Sequence, residues 1–167
     1  MAGDTSSGAS DAAPIQRMYI GHINLARSFN GAGKHFVNLI EALQSRGADQ
    51  YVLVRNVDLA KRLDIAEHVT VGPVVRSAVT AYCLMPVVDV VHVHDPSDGQ
   101  SGLLLALTRS IPFVLTNRSE SPGNGPLAKA VYSRAAGIVY RSDADADKHM
   151  RIYRRALENW RSETTPS

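Results

Sequence analysis

The sequence predicts a three-layer α/β fold, in which a mostly parallel sheet of about six strands carries helices on both faces. Residues 87–96 (VVDVVHVHDP) form a run rich in β-branched residues, too short for a helix, which is typical of a strand buried on both faces. Strand and helix patterns also alternate regularly along the chain, as they do when right-handed crossovers join parallel strands, and this alternation predicts that the first and fourth strands are neighbours across the switch point. Polar side chains gather where the central run ends, and open parallel sheets bind their ligands at that edge.

Composition limits the classes of protein and partner. The chain has 167 residues, 44% hydrophobic and 20% charged, which fits one globular domain, and its net charge of +2 gives no argument for nucleic acid. The single cysteine, Cys83, excludes an internal disulfide and suits a reducing compartment. No apolar run approaches the roughly 20 residues that span a bilayer. We therefore expect a cytoplasmic protein without a transmembrane segment, either free or peripheral at the inner face of the membrane.

The first half of the chain predicts a disordered tail and then three strand–helix units. Residues 1–16 are mostly small and polar, so they bury too little apolar surface to offset the entropy of ordering. A helix follows because apolar residues from Phe36 to Leu43 share one face, and Gly47 is placed to end it. The remaining predicted elements are strands at 18–23, 50–54 and 68–71 and helices at 57–65 and 74–85.

The second half continues the same alternation. Pro86 stops the preceding helix, and Pro126 suits the first turn of another. Ser142 is predicted to cap the last helix, with Asp145 as its capping-box partner. The domain is expected to cover residues 17–160, with a frayed end at 161–167. Its other predicted elements are the central strand, strands at 112–116 and 137–140, and helices at 99–110 and 126–136.

A glycine turn between the first strand and the first helix is the first candidate site, formed by Gly31, Ala32, Gly33 and Lys34. Free backbone N–H groups and the helix dipole favour a phosphate there, and the alternative is that the glycines only make a tight turn. The Walker pattern is absent because Ser28 and His35 occupy two of its positions. A nicotinamide- or flavin-binding protein stays as an alternative, although Phe36 replaces the third glycine of the dinucleotide pattern.

The end of the central strand is the second candidate site. His92 and His94 share a face of the strand and form a pair that can hold a metal, but no third ligand stands out in the sequence, so we predict no metal site. His92 is predicted to be hydrogen-bonded in the interior, whereas His94 and Asp95 lie closer to the ligand edge. Arg118 follows the fifth strand and can bind a phosphate or carboxylate, unless it is an exposed loop arginine.

Four segments in order resemble the family-four glycosyltransferases. Residues 30–47 resemble the first loop and helix of that family, and residues 89–95 (DVVHVHD) are similar to its "D-V-V-H-x-H" strand. Residues 111–116 and 137–142 resemble two later strands, the second of which leads into a helix beginning with serine. The resemblance covers about residues 18–153.

The resemblance implies the Rossmann-like, acceptor-side, N-terminal domain of a GT-B fold. It implies a retaining, metal-independent transfer of sugar from a nucleoside-diphosphate sugar to an acceptor, with a cell-envelope glycan or lipid-linked saccharide suggested by family habit. No cofactor is implied beyond that donor. The first loop of the family contacts the diphosphate of the donor. The resemblance therefore implies that Gly31, Ala32, Gly33 and Lys34 contact the diphosphate here.

The resemblance also places acceptor and catalytic candidates. The family histidine after the fifth strand falls on Arg118, which cannot shuttle a proton but can position an anionic acceptor. Arg118 and His94 are therefore the catalytic candidates, and Asp95 joins them as an acceptor contact.

The second, donor-binding domain of the family is absent from this sequence. We therefore expect the chain to be incomplete alone and to need a second Rossmann-like domain or chain. The alternative is a non-catalytic binding module, or one subunit of a two-chain transferase.

Overall fold

The computed structural model describes residues 17–64, 67–117, 124–140 and 145–164. Its described residues form one six-stranded, entirely parallel sheet with the order β3-β2-β1-β4-β5-β6. The predicted N-terminal tail, Arg118 and Ser142 lie outside the described residues. The strands are β1 (Tyr19–Asn24), β2 (Asp49–Val54), β3 (Val69–Val71), β4 (Val90–Val93), β5 (Phe113–Asn117) and β6 (Gly137–Tyr140).

Helices cover both faces of the sheet, which confirms the predicted three-layer α/β class. The helices are α1 (Gly31–Gln44), α2 (Val57–Leu63), α3 (Ala78–Leu84), α4 (Gly99–Arg109), α5 (Pro126–Arg134) and α6 (Ala146–Thr164). One apolar core lies under α1, α2 and α6, and the other lies under α3, α4 and α5. Among the described residues, no helix is long and apolar enough to cross a membrane.

Strand β4 lies in the middle of the sheet, and all four of its residues are buried, as predicted from its β-branched run. The strand is shorter than predicted because Val87 is 83% exposed. The Asp89 carboxylate accepts a hydrogen bond from the Tyr19 backbone N–H at 2.8 Å, just before the strand begins. The central run therefore enters the sheet only from Val90 onwards.

Several helix boundaries differ from the sequence prediction, and those of α1, α3 and α6 differ most in their consequences. Residues 74–77 are not helical, because the Val75 N–H donates to the Val54 carbonyl at 3.0 Å and Ser77 caps the shorter α3. Helix α1 begins at Gly31, so the predicted glycine turn is the first turn of the helix, and Gly47 follows its end with φ +76°. Helix α6 continues to Thr164, so residues 161–164 belong to it and not to a frayed end.

Strands β1 and β4 are parallel neighbours, and His22 pairs with His92 in their register. The chain leaves β1 towards α1 on one face of the sheet and leaves β4 towards α4 on the other. In open α/β sheets such a reversal leaves a crevice at the carboxyl edge, which is the usual ligand position. The glycine segment at the start of α1 and the histidines at the end of β4 therefore lie at the same edge of the sheet.

Candidate functional site

The N-terminal turn of α1 forms an exposed corner at this edge. Asn30 is its N-cap, and the Asn30 Oδ1 accepts a hydrogen bond from the Ala32 N–H at 3.0 Å. The Lys34 N–H donates to the Asn30 carbonyl at 3.1 Å, whereas helix geometry gives the amides of Gly31 and Gly33 no carbonyl partner within the helix. With the positive end of the helix dipole, these amides can bind an anion.

The two glycines of the corner have different surroundings. A Cβ atom added at Gly33 would lie 2.7 Å from the Phe29 ring, and the Arg62 guanidinium covers the same ring at 4.6 Å. Gly33 is therefore explained by packing within the chain. A Cβ atom added at Gly31 would meet nothing within 4 Å among the described residues, so the space above Gly31 is open to a ligand.

Three buried histidines form a cluster beside the corner. His22 from β1 joins His92 and His94 from the β4 strand end, and the Nδ1 of His22 lies 3.0 Å from the Nε2 of His94. The ring centroids of His92 and His94 are 3.9 Å apart, and one nitrogen from each of the three rings lies within 4.8 Å of the others. The Phe36 ring of α1 packs edge-on against His94 at 4.5 Å, which connects this cluster to the corner.

The interior position predicted for His92 is confirmed. Its Nδ1 lies 2.6 Å from the Tyr153 hydroxyl of α6, and its Nε2 lies 2.7 Å from the Thr116 hydroxyl of β5. The His149 ring of α6 lies 5.7 Å from the His92 ring and hydrogen-bonds the Asp145 carbonyl through its Nδ1. Side chains from β5 and α6 thus hold the His92 ring.

Burial keeps the imidazoles of His22 and His92 neutral. Burial is the larger cause and repulsion from His149 the smaller cause that lower the pKa of His22 from 6.5 to about 3. An interaction with the Gln50 side chain raises this pKa by a smaller amount. Burial and the neighbouring histidines also lower the pKa of His92 well below 6.5, and burial raises the pKa of the Tyr153 phenol well above 10. Among the described residues, the His22 Nε2 and the Gln50 Oε1 have no hydrogen-bond partner.

The other predicted site residues lie just beyond β4. His94 is 6% exposed, so its ring reaches the crevice only at its rim. Asp95 is half-buried, and its carboxylate accepts hydrogen bonds from the Ser97 N–H at 2.9 Å and from the Ser97 hydroxyl at 2.7 Å. These bonds stabilise the short 3₁₀ helix Pro96–Asp98 that follows. Arg118 lies outside the described residues, so its predicted place in the site stays a prediction.

Two residues at this edge carry roles that the sequence prediction did not assign. His22 enters the histidine cluster, and the buried Asp98 accepts a hydrogen bond from the Leu25 N–H at 3.1 Å, which ties the loop after β1 to the loop after β4. The alternation of His22 with apolar neighbours could have indicated an inward-facing strand residue. The predicted adjacency of β1 and β4 is confirmed, but the register that pairs His22 with His92, 70 residues along the chain, has no local signal.

The arrangement can bind an anion at the corner and a metal ion at the cluster.

A family model described as Glycosyltransferase Family 4 matches residues 29–162. Among solved structures, the crystal structure of HepE from Anabaena in complex with UDP is similar, with a TM-score of 0.54 and 14% identity over 83% of this chain and 41% of that chain. The chain therefore spans less than half the length of HepE, and at this identity the likeness shows the fold alone. None of the curated proteins compared with the sequence matches it.

Proposed function

This chain belongs to glycosyltransferase family 4, and we propose that it takes part in moving a sugar from a nucleoside-diphosphate sugar to an acceptor. The observation that supports this most is the exposed, capped start of α1 beside the β1–β4 crevice, with open space above Gly31. A diphosphate is the anionic part of such a donor, and a helix N-terminus with free amides matches its charge.

In this proposal the donor's diphosphate binds at Gly31, Ala32, Gly33 and Lys34. The Gly31 amide is accessible, and the exposed Lys34 side chain starts one turn into the helix, where it adds a positive charge to the dipole. HepE was crystallised in complex with UDP, so uridine diphosphate is the appropriate first probe. Because the corner carries no ordinary dinucleotide pattern, we expect it to discriminate against nicotinamide and flavin cofactors.

The acceptor would bind at the carboxyl edge of β4 and β5, at His94, Asp95 and Arg118. The position of Asp95 directly after β4 supports this assignment, because ligands in open α/β sheets lie outside the strand ends. Arg118 would position an anionic acceptor or offset charge on the leaving diphosphate. A cell-envelope glycan or a lipid-linked saccharide carries groups of this kind. Further donor contacts would come from a second Rossmann-like domain or chain.

Amide chemical shifts measured by NMR test the donor corner, because they report weak binding residue by residue. We expect UDP at millimolar concentration to shift the amides of Gly31, Ala32 and Gly33, and uridine without phosphates to leave them unchanged. Shifts confined to another part of the chain, or stronger binding of NAD or FMN, would contradict the proposal.

Helix α5 offers a matched control for this corner. Lys34 and Lys129 are both the exposed fourth residue of a helix, and Gly31 and Gly125 both have open space where a Cβ would be. We expect Lys34→Ala and Gly31→Val each to weaken UDP about tenfold, equal to about 1.4 kcal/mol. We expect Lys129→Ala and Gly125→Val to leave the affinity unchanged. Equal losses in both helices would indicate nonspecific attraction to positive charge.

A further inference from the structure

Of the three buried histidines at this edge, the proposed sugar transfer uses only His94, as an acceptor contact, and gives His22 and His92 no role. We propose that His22, His92 and His94 bind one divalent transition-metal ion, with zinc as the reference ion, through one nitrogen each. The inference goes beyond the proposed function, because donor binding at the corner does not depend on it. It also replaces the sequence expectation of no metal, which depended on two visible histidines and the lack of a third.

The spacing of the nitrogens fits a shared ion. Two imidazole nitrogens that both bind zinc at about 2.0–2.1 Å in tetrahedral geometry lie about 3.3 Å from each other. The His22 Nδ1 and the His94 Nε2 are 3.0 Å apart, and a His92 nitrogen lies within 4.8 Å of both. Binding of the ion would replace one of the two hydroxyl contacts that hold the His92 ring, and the ring would then shift towards the other two nitrogens.

The surroundings of His22 supply a second argument. If its Nδ1 binds the metal, its Nε2 carries the proton and requires an acceptor. The Gln50 Nε2 donates to the Ile40 carbonyl at 2.9 Å, which leaves the Gln50 Oε1 as an acceptor with no donor. Within the described part of the chain, the metal-bound tautomer of His22 would therefore offer its Nε2 proton to the Gln50 Oε1, a buried oxygen that lacks a hydrogen-bond donor.

The surroundings of His92 also suit a metal ligand. Both of its nitrogens have hydroxyl partners, Tyr153 and Thr116. Metal binding would replace one of these partners, and the other would continue to orient the ring, as outer-shell groups do around metal-bound histidines.

Three imidazole nitrogens favour zinc, cobalt, nickel or copper over magnesium and calcium, which prefer oxygen ligands. The histidine group found among the described residues contains no fourth protein ligand, so a water molecule would complete a four-coordinate site. Such an ion would join β1 to β4 at the bottom of the crevice. The competing explanation is a chain of hydrogen-bonded imidazoles that binds no metal.

Cobalt titration of the chelator-treated chain tests the proposal, because tetrahedral Co²⁺ absorbs strongly in the visible range. We expect one equivalent of Co²⁺ to bind with that absorption and Zn²⁺ to displace it. We expect His94→Asn to weaken Zn²⁺ at least about 100-fold, and Gln50→Leu to weaken it about tenfold through the His22 tautomer. His35→Asn and His68→Asn, both at exposed positions outside the cluster, should leave the affinity unchanged.

The wild-type titration decides the proposal even if a cluster variant fails to fold, which circular dichroism would reveal. Absence of stoichiometric Co²⁺ binding, or octahedral absorption only, would overturn it. Loss of binding in the His35 and His68 variants would also overturn it, because the metal would then sit on the surface. UDP shifts at the Gly31 amide are a separate readout, so either proposal can fail while the other stands.

Discussion

The exposed corner at the start of α1 and the buried histidine cluster lie beside each other at the same sheet edge, yet the fold uses them in opposite ways. At the corner, the Gly31 amide has no helical carbonyl partner and its Cα faces open space. In the cluster, the His92 ring is fixed by hydroxyls from two other elements. The difference indicates that the corner is free to bind a ligand at little structural cost, whereas the cluster contributes mainly to stability.

The largest expected effect is the loss of a cluster side chain. His92→Ala removes a buried ring and leaves the Tyr153 and Thr116 hydroxyls without their imidazole partner. We expect the free energy of unfolding, measured in urea, to fall by about 3–5 kcal/mol. His35→Ala, at an exposed position of α1, should change it by no more than about 0.5 kcal/mol. A small loss of unfolding free energy in His92→Ala would show that the cluster does not contribute more to stability than the corner does.

Acid pH should weaken the cluster and spare the corner. Unfolded His22 gains a proton below its ordinary pKa of 6.5, whereas the folded imidazole stays neutral down to about pH 3. The contribution of neutral His22 to the free energy of unfolding is therefore fully present above pH 6.5, and it is lost as the pH falls from 6.5 towards 3. We expect this effect at His22 alone to lower the free energy of unfolding by about 2 kcal/mol at pH 5.

Urea unfolding at several pH values, with chelator present, measures this dependence. His22→Gln should make the curve between pH 7 and pH 5 less steep, because it removes one of the two buried imidazoles, His22 and His92, that take up a proton only on unfolding. A profile that is equally steep in this variant would show that another group causes the pH dependence.

The smallest expected effect on stability is at the corner. Asn30→Ala removes the side-chain acceptor of the Ala32 N–H, and we expect it to cost about 1 kcal/mol in thermal or urea unfolding. Asn56→Ala is the matched control, because Asn56 caps α2 by accepting from the Leu59 N–H at 3.0 Å. A loss at Asn30 as large as that of His92→Ala would show that the corner is structural.

Much of the fold could be predicted because its signals are local. The β-branched run of β4, the glycine that ends α1 and the proline that starts α5 each depend on backbone preferences of a few residues. The prediction was wrong where a distant partner decides the structure. Residues 74–77 have an apolar pattern, but Val75 donates its N–H to Val54 of β2 and stays out of the helix.

The candidate site divides in the same way. The glycine segment and the His92–His94 pair were visible in the sequence, because each lies within a few residues of one element. The third histidine was not assigned to the pair, since His22 is 70 residues from His92 and reaches it only through the pairing of β1 with β4. The distinction between Gly31 and Gly33 likewise required the position of the Phe29 ring.

The sequence by itself determined the layered α/β class, the central strand and the edge at which a ligand would bind, because hydrophobic pattern and turn residues act over short distances. Only the tertiary structure decided that three histidines meet, that one glycine is packed while its neighbour is open, and that His92 is held by Tyr153 and Thr116. These features depend on the register between neighbouring strands and on how side chains distant in the sequence pack together, which local patterns do not determine.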